Sequence, residues 1–176
     1  MERLSRLFSA IAATAALCVT TTATATPQIT SGDVERALPP GSVTVREVQG
    51  GGAQIYACHE LANQYVWILV GPQAVLVNDD GSIFGVHTAG PKWVAQDGSS
   101  IVANSDKPLA RISHPDALPA LLLSVIASGG PGALSGILYV SRTNVLGGMP
   151  PDAGCDAEHA GATVARHYSA VYRFFK

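Results

Sequence analysis

The chain has 176 residues, 47% hydrophobic and only 14% charged, with a formal net charge of −2 at pH 7. That balance excludes a disordered chain, which needs low hydrophobicity and high charge. It also excludes a basic surface for nucleic acid or an anionic membrane, because 11 Lys and Arg are outnumbered by 13 Asp and Glu.

The first residues read as an export signal. Arg3 and Arg6 make a positive start, residues 7–19 are apolar, and Ala23-Thr24-Ala25 places small residues where signal peptidase reads them. Residues 1–25 are therefore expected to leave as a signal peptide. The mature protein is expected to begin at Thr26 and to be exported to the periplasm or the extracellular space. A membrane anchor is the competing reading, but the run is too short and too Thr-rich to span about 30 Å of hydrocarbon. A lipoprotein would use Cys18, where Leu17 is bulky and lipid attachment needs a small residue. What remains is one domain by length, large enough to bury its own core. No later segment approaches membrane-spanning length, so no stable membrane insertion is expected after signal removal.

Cleavage removes Cys18 and leaves Cys58 and Cys155. Two cysteines in an exported chain point to a disulfide. Two buried thiols or a metal site are the alternatives. There is no Cys-x-x-Cys, and His59, next to Cys58, would face the other side of a strand.

Residues 26–52 read as a flexible N-terminal segment with one strand, 43–48, between Pro39-Pro40-Gly41 and Gly50-Gly51-Gly52. Residues 53–176 read as a β domain. Strands are expected at 53–58, 65–70 and 74–77, the last two parted by Gly71-Pro72. Asn78-Asp79-Asp80-Gly81 is a tight-turn signal. Residues 82–88 and 92–95 flank a Gly90-Pro91 corner, and 100–103 follows Asp97-Gly98. Residues 118–127 are almost wholly apolar and fit a buried strand or a short helix. Pro119 near its start and Ser128-Gly129-Gly130 at its end favour the strand. Residues 136–144 are a strand, and 157–165 a short helix or loop. In residues 167–175, Tyr168, Ala170, Tyr172 and Phe174 share one face of a last strand. Short apolar runs at regular spacing predict a mainly β fold. The expected form is a single-domain antiparallel β-sandwich or open β-barrel with at most one or two short helices.

The order of motifs resembles a known family. Gly52-Ala53-Gln54-Ile55-Tyr56-Ala57-Cys58 resembles its Gly-x-Gln-x-Tyr-x-Cys motif. Gly85-Val86-His87-Thr88-Ala89-Gly90-Pro91-Lys92-Trp93 with Asp97-Gly98-Ser99 resembles its second motif. Residues 119–123 resemble a Pro-Trp-Leu-Leu-Leu block, with Ala120 where tryptophan is common. Tyr139-Val140-Ser141-Arg142-Thr143-Asn144, Gly147-Gly148-Met149-Pro150 and Cys155 resemble the last central block. Residues 168–175 resemble the closing strand. The family is the bacterial and fungal group known as domain of unknown function 3455, and the resemblance covers nearly the whole mature chain. It implies a secreted, largely β domain with both cysteines in matching places. It implies no activity and carries no catalytic residues. Ala120 implies a smaller contact at that point.

The densest chemistry lies between Gly85 and Ser100. The Gly90-Pro91 corner is expected to bring His87, Trp93 and Asp97 to one side of the fold. A ligand there would stack on Trp93 and hydrogen-bond His87 and Asp97. Arg142, unusual in an apolar strand, joins these binding candidates and is expected to pair with a buried or half-buried acid. A catalytic set would join His87 to Asp97, Asp79 or Asp80, with Ser99 or Ser100 as nucleophile. Neither serine sits in Gly-x-Ser-x-Gly, so no catalytic residue is assigned. Against a catalytic role, the favoured reading makes His87 a structural histidine bonded to loop backbone, and Trp67 and Trp93 are expected in the core.

His59, His87, His114, His159 and His167 include no pair at i, i+2 or i, i+4, and no metal site is expected. The glycines at 129–136 have the wrong spacing for a dinucleotide loop, with Pro131 inside and a strand after them, and no cofactor is expected. The sequence thus points to a non-catalytic binding module, or an envelope or extracellular interaction module. Its partner would be an unknown small molecule or glycan, not nucleic acid. The alternative is a small exported hydrolase or metal-assisted enzyme using His87.

Overall fold

In a computed structural model, which describes residues 31–176, a short helix precedes nine strands. The expected signal peptide and the start at Thr26 lie outside the described residues. The elements are α1 (Ser31–Glu35), β1 (Thr44–Leu61), β2 (Gln64–Val77), β3 (Ile83–Thr88), β4 (Lys92–Ala95), β5 (Ser100–Ala103), β6 (Ala110–Ile112), β7 (Ala120–Gly129), β8 (Tyr139–Gly147) and β9 (Thr163–Phe175). One 3₁₀ turn, Ala157–His159, precedes β9.

The strands form one antiparallel sheet in the order β5-β4-β3-β2-β1-β9-β8-β7-β6. β5 also pairs with β7, Ser100 opposite Gly129 and Ala103 opposite Val125. That pairing folds the sheet over one interior, in keeping with the expected β-sandwich or open β-barrel. The apolar run at 118–127 is strand β7, as Pro119 and the following glycines suggested.

Period-two alternation decides what fills the interior. Tyr168, Ala170, Tyr172 and Phe174 point inward from β9 and meet Val48, Leu76, Phe84, Trp93, Ile101 and Val140. Burying each large side chain contributes about 1.5–3 kcal/mol. The β7–β8 connection adds Leu134 and Ile137 to the same cluster. The other face of β7 and β9 is covered locally by α1. There Val34 packs with Ala120, Leu122 and Phe175, and Arg173 pairs with both Glu35 and Glu47.

Two sequence signals for a break turn out to lie within strands. β1 runs straight through Gly50-Gly51-Gly52. Gly50 is needed for space, since a Cβ there would sit 2.5 Å from the Tyr172 ring. β2 likewise continues through Gly71-Pro72. Here the register slips, Ile55 facing Gly71 and Tyr56 facing Leu69. Val70 is the extra residue of a bulge, which bends and twists the ribbon. Gly71 takes a φ of +148° with Ala89 close against it, so a side chain would meet both backbone strain and a collision.

Cys58 on β1 is disulfide-bonded to Cys155, with Cα atoms 5.3 Å apart. The bond ties the outer part of the β1–β2 ribbon to the segment that leads into β9.

Candidate functional site

Beside the β2 bulge lies a cavity of about 400 Å³, walled by residues of β1, β2, β3, β4, β6, β7, β8 and β9. That volume falls within the usual range for small-molecule sites. Leu118, Leu121, Leu123, Pro72 and Pro91 give it an apolar lining, into which a few polar side chains are set.

The β3–β4 hairpin supplies the most ordered of these. Gly90 turns the chain at a φ of +100°, which glycine adopts without strain. The return strand then sets Trp93 opposite His87. Their rings stack with centroids 4.2 Å apart and planes 10° from parallel. Tyr172 stands edge-on to both, at 5.3 Å from His87 and 5.8 Å from Trp93. The Nδ1 of His87 lies 3.0 Å from the Lys92 carbonyl oxygen. A carbonyl only accepts, so Nδ1 carries the hydrogen and Nε2 is left as the acceptor of the neutral ring. Burial lowers the His87 pKa to about 4; the Lys92 bond opposes the shift and the Arg142 charge adds to it. The ring is therefore uncharged at neutral pH.

Two polar atoms in this wall are buried without a hydrogen-bond partner: Trp93 Nε1 and Gln54 Oε1. Both residues are 2% exposed. Leaving a polar group in that state costs about 1–3 kcal/mol. Arg142, half-buried on β8, donates from Nε and Nη2 to the Pro119 carbonyl at 3.3 and 3.0 Å. The acid expected as its partner is not there, since no carboxylate among the described residues forms an ion pair with it. A neutral carbonyl has taken that place, supplied by the chain entering β7. The positive charge acts across the cavity, opposing the rise that burial imposes on the phenols of Tyr56, Tyr168 and Tyr172.

The sequence model of a family described as proteins of unknown function, DUF3455, matches residues 39–176. The chain belongs to this family. No curated protein and no solved structure matches it. The DUF3455 match takes in the whole cavity wall and both cysteines.

In this DUF3455 protein the structure brings three of the four expected binding residues together, His87, Trp93 and Arg142, and places Asp97 elsewhere. Asp97 follows β4, at the opposite end of that strand from the Gly90-Pro91 corner. Its Oδ1 accepts from the Ser99 hydroxyl at 2.6 Å and the Ser99 amide at 2.9 Å. Its Oδ2 accepts from the Ala133 amide at 2.7 Å. The Ser99 hydroxyl in turn accepts from the Leu134 amide at 3.0 Å. The Ser99 hydroxyl above all, then the Ala133 amide, holds the Asp97 carboxyl below its usual range. Asp97 and Ser99 thus clamp the β7–β8 connection.

The other acids considered for His87 lie in the β2–β3 turn, where Asp80 accepts from the Ser82 hydroxyl and amide. Neither Asp79 nor Asp80 lines the cavity. Trp67, expected in the core, is half-buried on β2 and donates to the Ala153 carbonyl at 3.0 Å, close to the disulfide. Among the described residues no three of His, Cys, Asp and Glu come together in a way that could hold a metal ion. No helix among them is long and apolar enough to cross a membrane.

Sequence reasoning missed Gln54 and Pro119 as parts of this wall. Gln54 had a readable signal: it lies two residues from Tyr56 in an apolar strand, so it shares the buried face of that tyrosine. The Pro119 carbonyl had none, because a backbone acceptor leaves no trace in side-chain pattern.

Proposed function

We propose that this DUF3455 protein is an exported, non-catalytic binding module that takes a small molecule into the cavity beside His87 and Trp93. The observation that carries this reading is the pair of unpartnered polar atoms, Trp93 Nε1 and Gln54 Oε1, on buried residues of one apolar-lined cavity. Folding leaves such groups unsatisfied only at a cost, and here that cost is concentrated in the wall of the cavity. Binding is favoured over hydrolysis by the placement of the serine and the acid. Ser99 is fully buried and bonded to Asp97 and Leu134, and no carboxylate lines the cavity to orient His87. Export is supported by the charged, apolar, Ala-x-Ala start and by a disulfide, which persists in oxidising compartments.

Uptake of the fluorescent, uncharged probe aminoanthracene tests the binding reading. Saturable enhancement is expected for the wild-type protein. It should be lost in Leu69→Trp, which puts a large ring at an exposed cavity-lining position while leaving the thermal midpoint unchanged. No saturable uptake, or equal uptake by the variant, would overturn the reading. Ester cleavage by the pure protein that disappears in His87→Gln would favour the hydrolase instead. N-terminal sequencing of exported material should begin at Thr26, and retention of Met1 would refute export by this signal.

A further inference from the structure

We infer that the cavity selects an organic monocarboxylate with an apolar body, its carboxylate held by Arg142 and its body laid against Leu121 and Leu123; this rests on the binding reading above.

The charge inventory of the cavity comes first. The chain as a whole carries −2, yet the cavity lining contains Arg142 and Arg111 and neither Asp nor Glu. Arg142 is half-buried, and its side-chain acceptors are neutral, the Pro119 carbonyl and the Tyr172 hydroxyl. A guanidinium taken out of water against a neutral partner is poorly compensated. Elsewhere in the same fold the arrangement is different: Arg173, also half-buried, is held by two carboxylates, Glu35 and Glu47. The tyrosines around Arg142 supply no negative charge, because burial keeps their phenols protonated. An anion is what this wall lacks.

Hydrogen-bond capacity narrows the anion. A guanidinium has five N–H donors. Nε and one N–H of Nη2 serve Pro119 and a further N–H serves the Tyr172 hydroxyl, which leaves two for a guest. The donors left on one guanidinium suit the oxygens of one carboxylate. Leucine, valine and proline make up most of the remaining lining, beside Gln54, Ser105 and Tyr172, which favours an apolar body. Neutral His87 stacked on Trp93 adds no cation, and Arg111 is exposed and keeps its water, so Arg142 is the half-buried cation of the lining that a single negative charge would meet.

Displacement of aminoanthracene by matched guests tests the inference. Octanoate should compete at a concentration at least about tenfold below octanol, a difference of about 1.4 kcal/mol, and octylamine should be weaker than both. Octyl phosphate and suberate, which carry more charge, should be weaker than octanoate. Arg142→Met should bring octanoate down to the level of octanol, and Arg142→Lys should keep part of the preference. If Arg142→Met does not fold, the comparison of acid, alcohol and amine on the wild-type protein decides alone. Equal competition by octanol, or tighter binding of octylamine, octyl phosphate or suberate, would overturn the inference while leaving cavity binding intact. Failure of aminoanthracene to bind at all would remove the binding reading and this inference with it.

Discussion

Replacing His87 with phenylalanine should flatten the acid side of the stability profile. In the folded protein burial holds the imidazole pKa at about 4, against 6.5 for the free side chain. Above the unfolded value the ring is neutral in both states and contributes no pH dependence. As pH falls below it, the unfolded chain takes up a proton that the folded chain refuses, and stability drains away. The loss ends near pH 4, where the folded ring protonates as well. The gap between the two values amounts to about 3 kcal/mol over that window. His87 is 2% exposed, so solvent screening does not shrink it. Phenylalanine keeps an aromatic ring against Trp93 and cannot titrate. Losing the Lys92 bond shifts the whole curve by a constant, so the slope is the quantity to read. Urea denaturation of both proteins across the window gives a difference curve in which the other histidines and the carboxylates cancel. Parallel curves, or a difference under about 1 kcal/mol, would show that the ring is solvated or already charged in the fold.

Two further outcomes follow from the packing. Replacing Cys58 and Cys155 together by serine opens a link between residues 97 apart in sequence and should cost about 4–5 kcal/mol by loop entropy; a loss below about 1 kcal/mol in denaturant would refute that. Gly50→Ala should lower stability by about 1–3 kcal/mol through overpacking on the Tyr172 ring, whereas Gly51→Ala, whose added carbon meets nothing, should change little. Equal losses from the two, by thermal melting, would refute the spatial account of Gly50.

Much of the fold is written in local pattern. Alternation in residues 168–174 named the inward face of β9, and the short apolar runs separated by turn residues named most strands. The His87–Trp93 pairing was legible for the same reason, since a tight corner folds its two arms together. Asp97 shows where that logic stops. It is only four residues from Trp93, but a strand advances about 3.3 Å per residue, so β4 carries it away to the far end. The glycines at 50–52 and 71 look like breaks because their purpose is tertiary: one accommodates a ring from β9, the other a bulge against β3. Pairing of β5 with β7, which folds the sheet over one interior, joins segments whose sequences carry no mark of each other. Five residues of α1 are too few for a helical period to show, and what holds α1 in place is tertiary: Val34 packed on Ala120, Leu122 and Phe175, and Glu35 reaching Arg173.

The strand order also governs how this protein can be made. β1 lies between β2, its neighbour in sequence, and β9, its most distant one. Thr44 therefore waits for Phe175 before it is paired. Such wide separation between partners slows folding relative to a helical chain of equal length. Until β9 docks, β1 and β8 present unpaired edges, and the Tyr172 and Phe174 rings have no interior to enter. A nascent chain in that state is a template for aggregation. The last strand to emerge is thus the one that removes the hazard, and any factor that holds the chain open must protect those two edges in particular.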